Sequence, residues 1–244
     1  MNEHRDLEGL SALVTGATSG IGRAAAEHLA RNGAELIVHG RDAARGSTVA
    51  DTITADGGKA RFVAADLSDP SQLDDLVQQA GPVDVLVNNA GFSWFGPTAD
   101  LDMATFDRLF AANVRAVYFL VAALAPKMTA KGSGSVSSTA SMAGQIGLAG
   151  AAAYSATKAS LVAMTRSWAA EFSPAGVRVN AVAAGPVLTA GAAPDRIEAL
   201  GATTLLSRAA QPSEIAEVIT FLASPRASYV TGAVFAADGG RTAI

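Results

Sequence analysis

The chain lacks cysteine, and it has only three histidines and few charged residues. The absence of cysteine excludes disulfides, thiolate catalysis and Cys-based metal sites. His4, His28 and His39 fall in the N-terminal tail, in a helical pattern and at a strand end, so we expect no metal cluster. Lys and Arg (18) are mixed along the sequence with Asp and Glu (22), and the charge pattern of a nucleic-acid-binding protein is missing.

An apolar leader and a long apolar run are also missing. Residues 1–6 are polar, unlike a signal peptide, and no apolar run approaches the length of a membrane span. We therefore expect a soluble cytoplasmic protein. The 244 residues, half of them hydrophobic, are enough for one large α/β domain and leave no room for a second, so residues 1–244 are predicted to form a single domain.

Short apolar runs alternate with longer amphipathic stretches, which is typical of βα units around a parallel sheet. Strands are predicted at residues 11–15, 35–39, 60–64, 83–88, 135–139, 177–182 and 233–236. Helices are predicted at residues 20–32, 43–55, 71–80, 103–130, 153–172 and 213–223. The pattern predicts an α/β fold with a doubly wound parallel sheet in three layers. Residues 186–211 are irregular and long enough to be a functional loop.

A glycine-rich segment, Thr15-Gly16-Ala17-Thr18-Ser19-Gly20-Ile21-Gly22, follows the first predicted strand and opens a helix. Gly16 would permit the tight turn, Gly20 would let backbone N–H groups approach a pyrophosphate, and Gly22 would let the helix pack closely on the strand. This arrangement predicts a phosphate site at a helix N-terminus. The alternative is that these glycines only form turns.

Two further polar segments follow strands at the edge where open α/β sheets bind ligands. Asn88-Asn89-Ala90-Gly91 ends an aliphatic strand and could brace the loops around a cofactor ribose, or it could be a simple Asn-Gly turn. Asp66 follows the third strand. It could accept a hydrogen bond from an adenine amino group or act as the N-cap of the following turn.

Tyr154 and Lys158 are four residues apart, with Ser141 thirteen residues upstream of the tyrosine. Residues at i and i+4 share one face of a helix, so the ammonium would favour the phenolate and lower a tyrosine pKa that is normally about 10. The spacing predicts a general acid or base, with an exposed surface pair as the alternative. Asn113 lies in an apolar helical stretch and is costly there unless its amide is satisfied.

Taken together, these motifs resemble the short-chain dehydrogenase/reductase family in its single-domain form, and most closely its 3-oxoacyl-[acyl-carrier-protein] reductase-like members. The resemblance covers nearly the whole chain. It rests on Thr15-Gly16 with Gly20 and Gly22, Asp66, Asn88-Asn89-Ala90-Gly91, Asn113, Ser141, Tyr154 with Lys158, Asn180 with Gly185, and Asp238-Gly239-Gly240. It implies a Rossmann sheet of strand order 3-2-1-4-5-6-7, a bound NAD(P) and an active site of Asn, Ser, Tyr and Lys.

The resemblance also implies a role for each catalytic residue. Tyr154 would exchange a proton with the substrate oxygen while hydride moves to or from nicotinamide. Lys158 would lower the tyrosine pKa and bind the nicotinamide ribose. Ser141 would hold the substrate oxygen, and Asn113 would position Lys158 through water. The implied cofactor contacts are Gly16, Thr18, Ser19, Gly20, Ile21, Gly22, Gly40, Arg41, Asp66, Leu67, Asn89, Ala90, Gly91, Tyr154, Lys158, Gly185, Val187 and Thr189.

The end of the second strand bears on the choice of cofactor. Gly40 stands where an acidic residue would bind the ribose hydroxyls of NAD, and Arg41 follows it. A small residue with a guanidinium suits a 2′-phosphate, which favours NADP over NAD. Two observations keep NAD open: Ser19 occupies a position that is basic in many NADP-dependent relatives, and Arg41 could instead pair with Asp42.

The substrate pocket is predicted to be mostly apolar and without charge, which suits a neutral ketone or secondary alcohol. Its candidate residues are Ser93, Trp94, Phe95, Gln145, Ile146, Leu148, Val187 and Leu188, with Ser141 and Tyr154. An acidic carrier protein would need a basic patch. Lys127, Lys131 and Arg178 are the candidates for that patch.

Two alternatives to a ketone reductase or alcohol dehydrogenase remain. The first is a dinucleotide-binding regulatory or scaffold protein without turnover, although neither Tyr154 nor Lys158 is degraded. The second is a sugar-nucleotide epimerase or dehydratase, which the short chain argues against.

The long helices predicted at residues 103–130 and 153–172 have more apolar surface than is needed to cover one face of the sheet. We expect them to form a four-helix dimer contact, with residues 234–244 completing a homotetramer.

Overall fold

Seven strands form one sheet in a computed structural model that describes residues 5–191 and 193–244. His4 and most of the polar N-terminal segment lie outside the described residues, as does Ala192 in the predicted loop. All strand pairs are parallel, and the order is β3-β2-β1-β4-β5-β6-β7, which confirms the predicted order. The strands are β1 Ser11–Val14, β2 Glu35–Gly40, β3 Lys59–Ala64, β4 Val85–Asn88, β5 Gly134–Ser141, β6 Val177–Ala184 and β7 Val234–Ala237.

Helices cover both faces of the sheet, as the alternating pattern predicts. They are α1 Gly20–Arg31, α2 Ala43–Ala55, α3 Pro70–Ala80, α4 Met103–Phe110, α5 Ala116–Lys131, α6 Ala152–Phe172, α7 Pro194–Gly201 and α8 Pro212–Ala223. The single helix predicted at residues 103–130 is divided, because a π-helical turn, Ala111–Arg115, joins α4 to α5. Helix α7 corrects the description of residues 186–211 as irregular. It begins at Pro194, whose fixed φ suits a first helical position.

Side chains alternate across the sheet and form one core on each face. Leu13 and Leu86 face the side covered by α5 and α6, where Leu120 and Leu161 pack. Their neighbours along the strands face the opposite side, which α1 and α8 cover. Because every strand is parallel, the carboxyl ends of β1, β4, β5 and β6 lie at one edge of the sheet.

The continuous helical run Met103–Lys131 is long and apolar enough to cross a membrane by length and composition. The expectation that no apolar stretch approaches a membrane span is therefore wrong by this criterion. Half of the most apolar part of this run is buried within the fold. Leu120, Val121 and Leu124 are among the residues that pack against the sheet, so the protein core accounts for much of the hydropathy.

Candidate active site

The turn between β1 and α1 is one in which glycine is required at two points. Gly16 has φ +64° and Gly20 has φ +53°, a region that side chains other than glycine rarely adopt. A Cβ at Gly16 would lie 2.8 Å from the Ala90 Cα atom. Ser19 is the N-cap of α1, but its side chain makes no capping hydrogen bond. The first N–H groups of the helix therefore have no side-chain acceptor from the N-cap residue. These N–H groups can bind an anion.

Thr15 and Asn89 tie this turn to the end of β4. The Thr15 hydroxyl oxygen accepts from the backbone N–H groups of Asn89 and Ala90, both at 3.0 Å. The Asn89 side-chain amide donates to the carbonyl oxygens of Thr15 (3.0 Å) and Gly16 (3.2 Å). A Cβ at Gly22 would lie 2.3 Å from that amide nitrogen, so Gly22 makes room for Asn89. Asn89 is therefore a brace between two loops.

His39 is a residue that sequence reasoning missed. Its Nδ1 atom accepts from the Gly16 N–H at 3.3 Å, and its Nε2 atom lies 3.1 Å from the Ala65 carbonyl oxygen. These partners assign the tautomer with the proton on Nε2. Burial lowers the pKa of His39 to about 4, so the ring is neutral at neutral pH. A histidine in an otherwise apolar strand was the available signal.

Arg41, which follows the end of β2, is exposed to solvent. Asp42 accepts from the Nε atom of Arg45 at 2.8 Å and caps α2 through the Arg45 N–H, so its partner is Arg45 and not Arg41. Gly40 is buried, and a Cβ there would lie 2.4 Å from the Thr18 Cγ2 atom. Among the described residues, no carboxylate therefore forms a salt bridge with the Arg41 guanidinium at the end of β2.

Asp66 and Leu67 lie at the end of β3. Asp66 accepts from the Ser68 N–H at 2.9 Å, which stabilises a turn. This contact agrees with the alternative that Asp66 caps the turn after β3, whereas Asp69 is the N-cap of α3 and accepts from the Ser71 N–H at 2.9 Å. Leu67 is buried in the core.

Tyr154 lies in the first turn of α6, and Lys158 lies one turn further along. The Lys158 Nζ atom is 5.7 Å from the centre of the Tyr154 ring and donates to the Thr139 carbonyl oxygen at 2.7 Å. Burial lowers the pKa of Lys158 to about 8. Burial also raises the pKa of Tyr154, and a hydrogen bond from Ser141 opposes that rise. The expected lowering of the tyrosine pKa is therefore not found in the chain by itself, because desolvation outweighs the hydrogen bond from Ser141.

Ser141 ends β5 and is buried beside Tyr154. Its hydroxyl oxygen accepts from the Ala143 N–H at 3.2 Å, and the hydroxyl lies 3.4 Å from the Ala184 carbonyl oxygen. Ala184 is its register partner on β6, so strand pairing fixes the position of the serine. The structure thus brings Ser141, Tyr154 and Lys158 together at the carboxyl edge of the sheet.

Asn113 is in the π-helical turn and is almost fully buried. Its amide oxygen accepts from the Phe92 N–H at 3.1 Å, and its amide nitrogen donates to the Phe92 carbonyl oxygen at 2.9 Å and to the Thr157 hydroxyl at 3.1 Å. The protein thus satisfies this amide directly, and a route from Asn113 to Lys158 through water stays a prediction. Gly91 makes this contact feasible, because a Cβ there would lie 2.6 Å from the amide oxygen.

Two loops enclose the mouth of the site, and the Gly96 N–H joins them by donating to the Gly150 carbonyl oxygen at 2.9 Å. Phe95 places its ring 5.5 Å from that of Tyr154. Of the other predicted substrate residues in these loops, Trp94, Ile146 and Leu148 are half-buried, whereas Ser93 and Gln145 are exposed.

The segment after β6 returns to the glycine turn. Gly185 lies against the backbone of Asp238, where a Cβ would come within 2.6 Å of the Cα atom. Val187 is buried, and Thr189 lies over Gly20, where a Cβ would meet the Thr189 methyl at 3.1 Å. The structure therefore brings these predicted cofactor residues to one edge.

Arg196 is the second residue that sequence reasoning missed. Helix α7 places its guanidinium carbon 3.8 Å from the centre of the Phe95 ring. The predicted pocket thus has a cation at its mouth, which corrects the list of uncharged lining residues. The position of α7 could not be read from the sequence.

The candidate basic patch lies away from this site. Lys131 pairs with Asp84, and Arg178 donates to the carbonyl oxygens of Leu222 and Ser224 at the end of α8. Lys131 ends α5 and Arg178 begins β6, so both are at the opposite edge of the sheet. Among residues 5–191 and 193–244, no group of three or more His, Asp or Glu side chains could hold a metal ion.

The sequence is similar to those of known reductases and dehydrogenases. A family model described as Enoyl-(Acyl carrier protein) reductase matches residues 16–242. The chain is 39% identical over 242 residues to a cis-4-hydroxycyclohexanecarboxylate dehydrogenase of Sinomonas cyclohexanicum, with 96% of each chain covered. It is 35% identical over 240 residues to a cyclopentanol dehydrogenase of a Comamonas species, covering 95% of this chain and 96% of that protein.

Solved structures resemble the whole fold. One described as a short chain dehydrogenase/reductase family protein is 50% identical with a TM-score of 0.91, covering 98% of this chain and 100% of that one. A blue fluorescent protein from a metagenomic library, in complex with NADPH, is 35% identical (TM-score 0.91; 97% and 99% covered). A 7α-hydroxysteroid dehydrogenase complexed with NADH and 7-oxo glycochenodeoxycholic acid is 32% identical (TM-score 0.91; 98% and 97% covered).

Proposed function

Because this chain belongs to the short-chain dehydrogenase/reductase family, we propose that Tyr154, Lys158 and Ser141 carry out its reaction. The protein is an NAD(P)-dependent oxidoreductase that acts on alcohol and carbonyl groups. The observation that carries the assignment of residues is the buried Lys158 ammonium, held beside Tyr154 by the Thr139 carbonyl oxygen, with Ser141 hydrogen-bonded to Tyr154.

The edge that carries these residues also fits a nicotinamide dinucleotide. The α1 N-terminus would bind the pyrophosphate, since its first N–H groups have no side-chain cap and the flanking glycines leave room for a close approach. Asn89 and His39 hold the turn in shape. When bound, the nicotinamide supplies or accepts the hydride.

Proton transfer is the part of the reaction that the chain performs. Burial raises the pKa of Tyr154, so the hydroxyl is protonated at neutral pH. In the direction of reduction it can therefore donate this proton to the developing alkoxide. Ser141 stabilises the same oxygen by hydrogen bonding. Lys158, positioned by the Thr139 carbonyl oxygen, places its positive charge near the phenolate as it forms.

For the cofactor, we propose NADP(H) over NAD(H). The support is the exposed Arg41 next to the buried Gly40, together with the engagement of Asp42 by Arg45. A guanidinium binds the 2′-phosphate of NADP with charge-assisted hydrogen bonds that NAD cannot form. Solved relatives include complexes with NADPH and with NADH, so the two remain to be distinguished by measurement.

For the substrate, we propose a small secondary alcohol or the corresponding ketone, whose reacting group is neutral. The half-buried Trp94, Phe95, Ile146 and Leu148 support an apolar lining, and residues 186–211 would close the substrate side. The names of the two curated relatives both describe alcohols on small alicyclic rings. An acyl-carrier substrate is less well supported, because Lys131 and Arg178 have structural partners at the far edge.

We further propose a homotetramer in the cytoplasm. Met103, Phe106, Tyr118 and Phe119 are exposed on α4 and α5, where the four-helix contact is expected.

The function is tested by incubating the protein with a panel of alicyclic and aliphatic ketones and alcohols with each cofactor, and by following the absorbance of reduced nicotinamide. Cofactor binding without turnover of any substrate would favour the non-catalytic scaffold.

A further inference from the structure

Arg196 stacks on an aromatic ring at the mouth of the site. Its guanidinium carbon lies 3.8 Å from the centre of the Phe95 ring, which is the geometry of a cation–π contact. A guanidinium stacked in this way keeps its in-plane N–H donors at the rim of the ring, where they match the two oxygens of a carboxylate. The contact with Phe95 therefore orients Arg196 without using its hydrogen-bond donors.

Phe95 connects this cation to the catalytic tyrosine. The rings of Phe95 and Tyr154 are 5.5 Å apart. The distance from the Arg196 guanidinium carbon to the centre of the Tyr154 ring therefore cannot exceed the sum of the Arg196–Phe95 and Phe95–Tyr154 distances. A small molecule whose oxygen contacts Tyr154 could reach Arg196 with an anionic group at the end of a ring-sized spacer.

Like Arg41, Arg196 differs from the arginines of the chain that pair with carboxylates. Arg23, Arg45 and Arg208 form salt bridges with carboxylates. In the described part of the chain, no carboxylate forms a salt bridge with Arg196, although Asp195 and Glu198 lie on the same helix. Arg196 is exposed, so its charge is available to a ligand.

From these contacts we infer that Arg196 is a substrate-selecting residue that binds a carboxylate, and that the preferred substrates are hydroxy acids and oxo acids with a short spacer between the two groups. This inference rests on the proposed function and narrows its substrate class. The reacting ketone or alcohol remains neutral, and the carboxylate takes no part in the bond changes. Solvent weakens an exposed ion pair, so we expect a preference of roughly tenfold over an uncharged analogue.

The test compares two ketones that have the same ring and differ in charge, 4-oxocyclohexanecarboxylate and 4-oxocyclohexanecarboxamide. Wild-type protein should show a kcat/KM for the acid roughly tenfold above that for the amide. Arg196→Gln should remove this preference by lowering only the value for the acid. Added salt should raise the KM of the wild type for the acid and leave that for the amide unchanged.

Arg226→Gln is the matched control. Arg226 also lies over an aromatic ring, with its guanidinium carbon 5.7 Å from the centre of the Phe221 ring, but it follows α8 at the opposite edge of the sheet and lies 3.9 Å from the Asp6 carboxylate. This variant should keep the preference for the acid. Equal kcat/KM values for the two ketones in the wild type, or an equal loss for both in Arg196→Gln, would overturn the inference while leaving the proposed function intact.

A binding measurement separates the inference from the proposed function. Calorimetric titration with the same acid and amide, in the presence of oxidised cofactor, needs no turnover. Tighter binding of the acid that is lost in Arg196→Gln supports the role of Arg196, even if neither ketone is reduced. Equal affinities would contradict it. Absence of reduction across the whole ketone and alcohol panel would instead count against the proposed function.

Discussion

The side-chain amide of Asn113 forms two hydrogen bonds with the backbone of Phe92, accepting from its N–H at 3.1 Å and donating to its carbonyl oxygen at 2.9 Å. A third bond, to Thr157, reaches the residue before Lys158. Asn113 thus joins the loop after β4 to the catalytic helix. We propose that it is a positioning residue whose effect on Lys158 passes through α6.

Substitution of Asn113 should therefore affect stability as well as activity. We expect Asn113→Ala to lower the free energy of unfolding by about 1–3 kcal/mol, because it leaves the Phe92 groups and the Thr157 hydroxyl without this partner. Thr157→Val removes one of the three bonds and also the bond from the Thr157 hydroxyl to the Tyr154 carbonyl oxygen (2.7 Å), but it leaves both Phe92 groups paired with Asn113, so it should cost less. Urea unfolding monitored by circular dichroism gives both values. A larger loss for Thr157→Val than for Asn113→Ala would contradict this assignment of the contacts.

His39 should make stability depend on pH. Its pKa is about 4 in the folded protein and 6.5 when unperturbed, so between these values only the unfolded chain takes up a proton. The stabilisation is present above pH 6.5 and is lost as the pH falls to about 4, by an amount on the order of 3 kcal/mol. His28, whose pKa burial also lowers, acts in the same direction.

The contribution of His39 is isolated by comparison with His39→Val. This variant loses the contact with Gly16 and is expected to be less stable at pH 7, but its stability should fall less steeply between pH 6.5 and 4.5. Urea midpoints measured at intervals across that window provide the comparison. Parallel curves for the two proteins would show that His39 does not titrate as described.

Arg41 should determine the preference for NADP. Arg41→Ala removes a charge-assisted contact worth about 1.5–3 kcal/mol, which corresponds to roughly a ten- to hundredfold weaker binding of NADP. Binding of NAD should barely change. Arg61→Ala, which removes an exposed arginine bonded to the Gln79 carbonyl oxygen, is the control for net charge. Unchanged NADP affinity in Arg41→Ala, or tighter wild-type binding of NAD, would move the cofactor assignment to NAD.

The structure changes the design of a variant that prefers NAD. A carboxylate at position 40 would accept hydrogen bonds from the ribose hydroxyls, but the Cβ of Gly40→Asp would lie 2.4 Å from the Thr18 methyl. We expect Gly40→Asp alone to disturb the glycine turn and weaken both cofactors. Adding Thr18→Ala should restore NAD binding and leave NADP binding weak. Dissociation constants for the single and double variants test this.

The tetramer prediction rests on the exposed aromatic residues of α5. Replacing Tyr118 and Phe119 together by Glu should disrupt the four-helix contact, because it would bury charges without partners. Tyr229→Glu, which changes a fully exposed tyrosine outside these helices, should leave the assembly intact. Light scattering at micromolar protein gives the masses. A wild-type mass near 24.5 kDa would contradict the prediction.

Much of the fold was predictable because its signals are local. Apolar runs such as residues 85–87 mark the strands, and the period-2 alternation that separates Leu13 from Val14 puts these two side chains in opposite cores. Tyr154 and Lys158 share a helix face for the same local reason. The N-cap of α3 could also have been predicted, because Asp69 directly precedes Pro70. An Asp followed by Pro is a stronger signal for a helix N-terminus than Asp66 alone.

The features that the sequence did not predict depend on distant contacts. The shift in the Tyr154 pKa depends on burial by surrounding elements, whereas the i, i+4 pattern indicates only the nearby charge. Arg196 reaches Phe95 across about a hundred positions of sequence, a contact no local pattern indicates. The partner of Asn113 likewise belongs to another loop.

The central claim is that Tyr154 exchanges the proton with the substrate oxygen, and Tyr154→Phe tests it most directly. The measurement is kcat for a ketone found in the substrate panel, together with the cofactor dissociation constant of the same variant. The account predicts a loss of roughly 10²- to 10⁴-fold in kcat with cofactor affinity close to wild type, because the ring remains and only the proton donor is removed. A variant that keeps a substantial fraction of the wild-type kcat would contradict it.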